Sequence, residues 1–280
     1  MRQHSSEFAI KAMARVLGVS RAGYYEWRDR PASQRALSQR KTDAMVRSVF
    51  EQKKHRYGAV RIARELNEEG RRIDKKTVAN SLKRQGLVAK AARKFKATTN
   101  SNHSLPVAPN RLQQDFSASA PDEKWVGDLT YLDTGEGWLY LAVLIDLYSR
   151  RVVGWAMGSR MTADLACDAL NMALYNRGNP KGVIVHSDRG SQYCSHAYQA
   201  LLRRHKLVCS MSGRGNCFDN AVAESFFHSF KVEAIHGEQF TTRAQLKSTA
   251  FEYIEVDYNR TRRHSHCGYI SPVQFEAKAA

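Results

Sequence analysis

Cysteine is scarce in this chain and shows no pairing pattern. The 280 residues contain five, Cys167, Cys194, Cys209, Cys217 and Cys267, an odd number with no CxxC pair. That usage argues against a disulfide framework and for reduced thiols in a cytosolic compartment. No Cys/His cluster has the spacing of zinc ligands. Long apolar runs are also missing. The longest, Trp138 to Ile145, is far too short to span a bilayer. The N-terminal MRQHSSEFAIKAMARVLG lacks an apolar core followed by a small-residue cleavage site. A membrane protein and an exported one are therefore not expected, and a cytoplasmic location is. No fixed-period repeat and no sustained heptad run occurs.

Acid is the remaining scarcity. Asp and Glu number 27 against 44 Lys and Arg, for a net charge of +17. With 42% hydrophobic and 25% charged residues, the chain is globular rather than wholly disordered or fibrous. Such a charge expects a polyanion, nucleic acid before a membrane surface. The excess is unevenly placed. Residues 1–110 hold 25 Lys/Arg and 9 Asp/Glu, whereas residues 111–280 hold 19 and 18. One module is therefore expected to grip the polyanion while another does different work. The expected divisions are a first helix-turn-helix region (1–50), a second, basic one (51–96), a polar linker (97–120) and a C-terminal domain (121–280).

In the basic part, Ile10, Met13, Ala14 and Leu17 recur at helical spacing. Gly18 can end that helix, Ser20 can cap the next, and Tyr24 and Trp27 give the second its apolar face. The pattern fits a helix-turn-helix or any helical hairpin. Val60, Ile62, Ala63 and Leu66 mark another helix, broken at Gly70. Asp74 is the expected N-cap of a further helix carrying Val78 and Leu82, with Lys75, Lys76, Lys83 and Arg84 on its surface. These cations either contact DNA phosphates or form a solvated face. The charge excess, beyond what solubility needs, favours contact.

The near-neutral part reads as strands and helices in the order βββαβαβαα. Trp125–Leu132, Trp138–Ile145 and Arg151–Met157 are expected as a meander, with short strands at Gly182–His186 and Leu207–Met211. This implies a mixed sheet with helices on both faces. Three acids interrupt apolar surroundings: Asp128 within the first strand, Asp188 just past GVIVH, and Glu224 within AVAESFF. Burying several acids together is costly unless a cation neutralises them, and a hard divalent ion suits oxygen ligands. Asn216, Asn220 and Glu224 are spaced four apart, with Lys231 two turns beyond, on one helix face suited to a phosphodiester backbone.

These words resemble the catalytic motifs of the DDE transposases and retroviral-type integrases. WVGDLTY (125–131) resembles the first-aspartate motif, HSDRGSQY (186–193) the second, and DNAVAESFF (219–227) the glutamate motif. The 35 residues from 189 to 223 match the DD(35)E spacing, and Lys231 matches a basic position of the family. Tyr258-Asn259, Arg262-Arg263-His264-Ser265 and Gly268-Tyr269-Ile270-Ser271-Pro272 resemble its tail. Across nearly its whole length the chain is similar to the second-frame product of an IS3-family insertion sequence. Gly127 departs from the Thr of many relatives.

The resemblance implies a ribonuclease-H-like fold, cleavage of DNA at transposon ends and transfer of the 3′-OH into target DNA. It implies two Mg²⁺ ions, with Mn²⁺ able to substitute, Asp128 bridging both, Asp188 holding one and Glu224 the other. Lys231 and Asn220 would contact DNA, and His186 and Tyr193 would support the loop of the second aspartate. Arg260, Arg262 and Arg263 form a local basic cluster suited to phosphate. Two DNA ends imply a homo-oligomer in a synaptic complex, nucleoid-associated when bound. An upstream first-frame product is implied as fusion or partner. The competing readings are a non-catalytic helix-turn-helix regulator and a simple nuclease of ribonuclease-H type. A retroviral-type integrase would need an N-terminal His/Cys zinc module that this sequence lacks.

Overall fold

A computed structural model describes residues 1–90, 106–213 and 217–279, with the side chains of 217 and 218 left out. The basic run beyond Lys90, most of the polar linker's first half and Asn216 lie outside the described residues. The chain forms two units, Met1–Val88 and Ala89–Ala280.

In the first unit, α1 (Ile10–Val16) and α2 (Arg21–Asp29) form a hairpin. Gly18 takes the left-handed conformation (φ 65°), and the Ser20 side chain accepts a hydrogen bond from the Gly23 amide. This turn follows the sequence expectation. The apolar faces do not: Leu17 and Trp27 are 58% and 55% exposed, and only Ala14 and Tyr24 are buried. Two short helices share a single seam, so most of each apolar stripe stays outside it.

A third helix that the sequence reading did not anticipate, α3 (Gln34–Gln52), runs straight across residue 50. Its buried residues, Val46, Val49 and Phe50, all fall near its end, so periodicity over the whole helix is weak. It packs with α4 (Ala59–Glu68) and α5 (Lys75–Gln85). Ile62, Ala63 and Leu66 form the buried face of α4, whereas Val60 is exposed. Two residues turn a helix by about 200°, which points Val60 away from Ile62. Asp74 caps α5 by accepting from the Lys76 and Thr77 amides, and Gly86 closes it with φ 65°. Asp43 of α3 clasps α5 through Ser81 Oγ and Arg84 Nη2, each at 2.6 Å.

The second unit is built on one five-stranded sheet. Its strands are β1 (Lys124–Leu132), β2 (Leu139–Asp146), β3 (Val152–Gly158), β4 (Ile184–Ser187) and β5 (Val208–Met211). They lie in the order β3-β2-β1-β4-β5. β1, β2 and β3 are antiparallel neighbours, while β4 pairs parallel with β1 and with β5. This is the ribonuclease-H-like mixed sheet that the resemblance implied.

Helices cover both faces. Alternation along β1 and β2 sends Val126, Leu141, Val143 and Ile145 to one core, where α9 (Ala221–Phe230) and α10 (Arg243–Phe251) pack. Trp125, Ala142 and Leu144 face the other, under α6 (Ala163–Asn176) and α8 (His196–Arg204), the latter preceded by the single turn α7 (Ser191–Cys194). Burial on both sides explains why β2 reads as a nearly unbroken apolar run. Trp138, expected inside that run, precedes β2 and is 49% exposed. Gly154 of β3 lies so close to Ala169 and Ala173 of α6 that a Cβ would collide with backbone. The tail continues through a π-helix (Glu252–Thr261) to α11 (Pro272–Ala277). Asn259 in this π-helix bonds both backbone groups of Val152, donating to its carbonyl (2.9 Å) and accepting from its amide (3.0 Å).

Candidate active site

β1 and β4 bring two of the three acids together. Their parallel register pairs Val126 with His186, and Asp128 and Asp188 each lie two residues further along. Neighbouring strands are about 4.8 Å apart, and Asp188, the first residue after β4, comes close enough for its charge to act on the Asp128 carboxyl. Each carboxylate is anchored locally. Asp128 Oδ1 accepts from the Leu129 amide at 2.8 Å, and Asp188 Oδ1 from the Gly190 amide at 2.9 Å. The Gly190 position is tight, since a Cβ there would meet Asp188 Oδ1 at 3.0 Å and Gln192 Oε1 at 2.9 Å.

The third acid comes from α9, on the face of the sheet that Val126 also uses. Glu224 lies in the first turn of that helix and is exposed. Its charge reaches Asp128. Burial pushes the Asp128 carboxyl well above its ordinary range, the Asp188 and Glu224 charges push it further, and Lys231 opposes them. The Glu224 carboxyl, though exposed, is itself raised by partial desolvation. Among the described residues no three His, Cys, Asp or Glu side chains form a ready group for a metal ion. The arrangement is a close aspartate pair with a glutamate charge acting on it from the neighbouring helix.

Lys231 begins a π-helical turn (Lys231–Ile235) directly after α9. Burial lowers its ammonium below the ordinary value and the Asp128 carboxylate pulls it back up. A half-buried cation beside converging acids is thus part of the site's electrostatics. Asn220 was expected to face DNA but is buried. Its Nδ2 donates to the Gly127 carbonyl at 3.3 Å, linking the start of α9 to β1 one residue before Asp128. Its Oδ1 is buried without a hydrogen-bond partner among the described residues. A threonine methyl or hydroxyl at Gly127 would have to share space with Leu144 and Tyr193, which a Cβ meets at 3.2 Å and 3.7 Å.

Behind Asp188 runs a directional hydrogen-bond chain that the sequence did not reveal. The amides of Arg111 and Leu112 donate to Ser210 Oγ (2.9 and 3.3 Å), whose own proton then goes to His186 Nδ1 at 2.8 Å. His186 Nε2 is left as the donor to Ser212 Oγ (3.2 Å), which donates to the Ser187 carbonyl (3.3 Å). Burial lowers the His186 imidazole to about 4 while the Asp219 charge opposes this, so the ring is neutral and serves as a brace. Asp219, also buried, accepts from Asn110 Nδ2 and the Gly213 amide, both at 2.9 Å. Tyr193 packs behind the same strands, and burial raises its phenol well above the ordinary value.

The basic positions divide into two kinds. Lys75, Lys76 and Lys83 are exposed on α5, whereas the Arg84 guanidinium is paired with Asp43. In the tail cluster Arg260 is exposed, but Arg262 and Arg263 are buried. Arg262 grips both oxygens of Glu233 and Ser229 Oγ, and Tyr253 also donates to Glu233. Arg263 donates to the Tyr269 carbonyl. The tail motif therefore builds structure where a phosphate-binding cluster was expected.

Comparison with known proteins bears on the family to which this fold belongs. Two integrase core domain models match residues 118–217 and 224–279, and an HTH-like domain model matches residues 36–95. The last begins within α3 and takes in α4 and α5. The chain is 58% identical over 278 residues to the transposase InsF for insertion sequence IS3A of Escherichia coli (strain K12), covering 99% of this chain and 96% of that one. It is 46% identical over 266 residues to a 31 kDa protein of insertion element IS600 of Shigella sonnei, covering 95% and 98%. Among solved structures, the HTLV-2 integrase catalytic core domain in complex with magnesium aligns with 15% identity and a TM-score of 0.41, covering 57% of this chain and 99% of that one. At 58% identity along almost the full length of both chains, with an integrase core behind an HTH-like region, this protein belongs to the IS3-family transposases.

Proposed function

We propose that the Asp128, Asp188 and Glu224 site carries out divalent-cation-dependent cleavage at the ends of an insertion sequence and transfers the 3′-OH so released into target DNA. The observation that carries this reading is the equal displacement of Asp128 and Asp188 past the Val126–His186 pair, with the Glu224 charge acting on the first. The donor set fits a hard cation. It consists of carboxylate oxygens that repel one another, in surroundings that penalise their charge. Asp128, Asp188 and Glu224 would hold the ions, Mg²⁺ with Mn²⁺ as substitute. When bound, such ions supply Lewis-acid stabilisation of charge developing on the phosphoryl oxygens.

The rest falls to the chain's own groups. The Leu129 and Gly190 amides fix the two aspartates, so little reorganisation is needed at the moment of reaction. Lys231 adds positive charge beside a phosphodiester. No side chain serves as nucleophile, and no covalent protein–DNA species is expected. Lys75, Lys76 and Lys83 grip DNA phosphates through α5. Two ends must be held together, which calls for a homo-oligomeric synaptic complex, with an upstream first-frame product as fusion or partner.

The test is a cleavage and strand-transfer assay with Mg²⁺ on DNA carrying the element's own ends. It is run with the full chain and with its fusion to the first-frame product. Nicks ending in 3′-OH and joined products are expected, and Asp128→Ala, Asp188→Ala and Glu224→Ala should each reduce both to background. Undiminished cleavage by any of the three variants would overturn the assignment of that residue.

A further inference from the structure

The hairpin between β1 and β2 carries two large aromatic side chains that the fold covers only in part. Tyr131 is 40% exposed and Trp138 is 49% exposed. Their rings meet edge to face, with centroids 5.0 Å apart and planes at 87°. Such a pair hides at most one face of one ring, leaving π-surface open to another flat group. Two cations border it. Lys231 Nζ lies 5.7 Å from the centre of the Tyr131 ring, and Arg243 Nε donates to the Trp138 carbonyl at 3.2 Å.

The hairpin is held rigidly. The Gly135 amide donates to the Phe240 carbonyl (2.9 Å), and the Arg243 amide to Glu136 Oε2 (2.9 Å). Within the turn, Thr134 Oγ1 donates to the Gly137 carbonyl (2.6 Å) and the Gly137 amide to the Thr134 carbonyl (2.9 Å). Gly135 lies flat against the following segment, where a Cβ would meet the Thr241 carbonyl oxygen at 2.6 Å. A braced hairpin that leaves two aromatics part-exposed, with two cations beside them, is organised for a planar partner bearing negative charge.

We infer that Tyr131 and Trp138 form a stacking platform for an unpaired nucleobase of the DNA strand leaving the catalytic acids, with Lys231 and Arg243 beside its phosphates. Tyr131 lies three residues after Asp128 on the same strand, about 10 Å along it and on the opposite face by the two-residue alternation; Lys231, whose charge acts on Asp128 and whose Nζ lies over the Tyr131 ring, links the two positions. Base–aromatic stacking is tolerant of sequence and strengthens when cations line the backbone path. The inference deepens the proposed function by naming how an opened strand end is held. It rests on that reading for the strand's origin, but the stacking itself needs no catalysis.

The experiment therefore measures binding without chemistry. The full chain, in chelator, is titrated with duplexes that are either blunt or carry a short 3′ overhang containing 2-aminopurine. The platform predicts quenching of the 2-aminopurine fluorescence and on the order of tenfold tighter binding of the overhang duplex than of the blunt one. Trp138→Ala and Tyr131→Ala should lose both effects while binding the blunt duplex as the parent does. Trp138→Phe, which keeps a π-face, should retain most of each. Equal quenching and equal overhang preference in the parent and Trp138→Ala would overturn the platform, as would an overhang preference lost equally in Trp138→Ala and Trp138→Phe. A parent that shows the overhang effects but no Mg²⁺-dependent cleavage supports the platform and counts against the catalytic reading. Cleavage that disappears in Asp188→Ala, with no overhang effect in the parent, does the reverse.

Discussion

Asp128 on β1 and Asp188, the residue that follows β4, stand at equivalent stations, each two residues past the paired Val126 and His186. Their mutual repulsion is part of what raises the Asp128 carboxyl, after burial. Replacing Asp188 with Asn removes that repulsion and keeps the shape. In chelator, Asp188→Asn should melt higher than the parent, by on the order of 1 kcal/mol or a few degrees. Mg²⁺ should stabilise the parent and leave the variant unchanged. Thermal melts with and without the ion measure both effects. A variant that melts lower in chelator and still gains from Mg²⁺ would remove the aspartate pair as the ion's seat.

The Arg262–Glu233 pair is buried and shared with Tyr253 and Ser229. Removing one partner leaves an uncompensated charge, so Arg262→Ala should cost about 3–5 kcal/mol in denaturant unfolding. Combining Arg262→Met with Glu233→Gln should cost clearly less than the sum of the single changes. Additive losses would mean that the two side chains do not act as a unit.

Glu276 sets part of the acid limit of stability. Burial alone would raise its carboxyl. Hydrogen bonds from Arg177, Arg151 and Ser149 more than offset this and hold it below the ordinary 4.5. A depressed carboxylate contributes stability that is complete above its unfolded value and is lost as pH falls through the folded one. The melting temperature should therefore fall as pH drops below about 4.5. Glu276→Gln should be less stable at neutral pH and show a flatter acid limb. An unchanged acid limb in Glu276→Gln would assign that limb to other groups.

On α5 the four basic residues should behave differently. Lys75→Ala, Lys76→Ala and Lys83→Ala should each reduce the slope of log affinity against log salt by about one. Arg84 is engaged with Asp43, so Arg84→Ala should leave the slope nearly intact. Its stability cost should be below about 1 kcal/mol, because the pair is partly solvated. DNA titrations across salt concentrations separate the two kinds of cation.

The sheet was legible in the sequence because period-2 alternation and the doubly buried β2 leave a strong apolar signature. The two aspartates stood out for the same reason, as polar residues set where apolar ones were expected. Weak periodicity hid α3, whose buried residues crowd into its last turns. Spacing alone misplaced Asn220 and Arg262. A helical wheel puts Asn220 in line with Glu224, but the 3-10 turn Cys217–Asn220 precedes α9 and carries Asn220 inward to Gly127. A run of arginines suggests phosphate until Glu233, 29 residues earlier, is found facing one of them. The His186 brace joins segments far apart in the chain, 111–112, 186–187 and 210–212, and no local pattern announces it.

The contact between Asn259 and Val152 has a consequence for self-association. β3 is an outer strand, and an uncovered outer strand is a template for another chain's backbone. The Asn259 amide occupies both hydrogen-bonding groups of Val152, so the tail acts as a guard at one end of the sheet. A truncated product ending before Asn259 would expose that rim. It should clump through intermolecular β-pairing, even with every residue of the five strands intact.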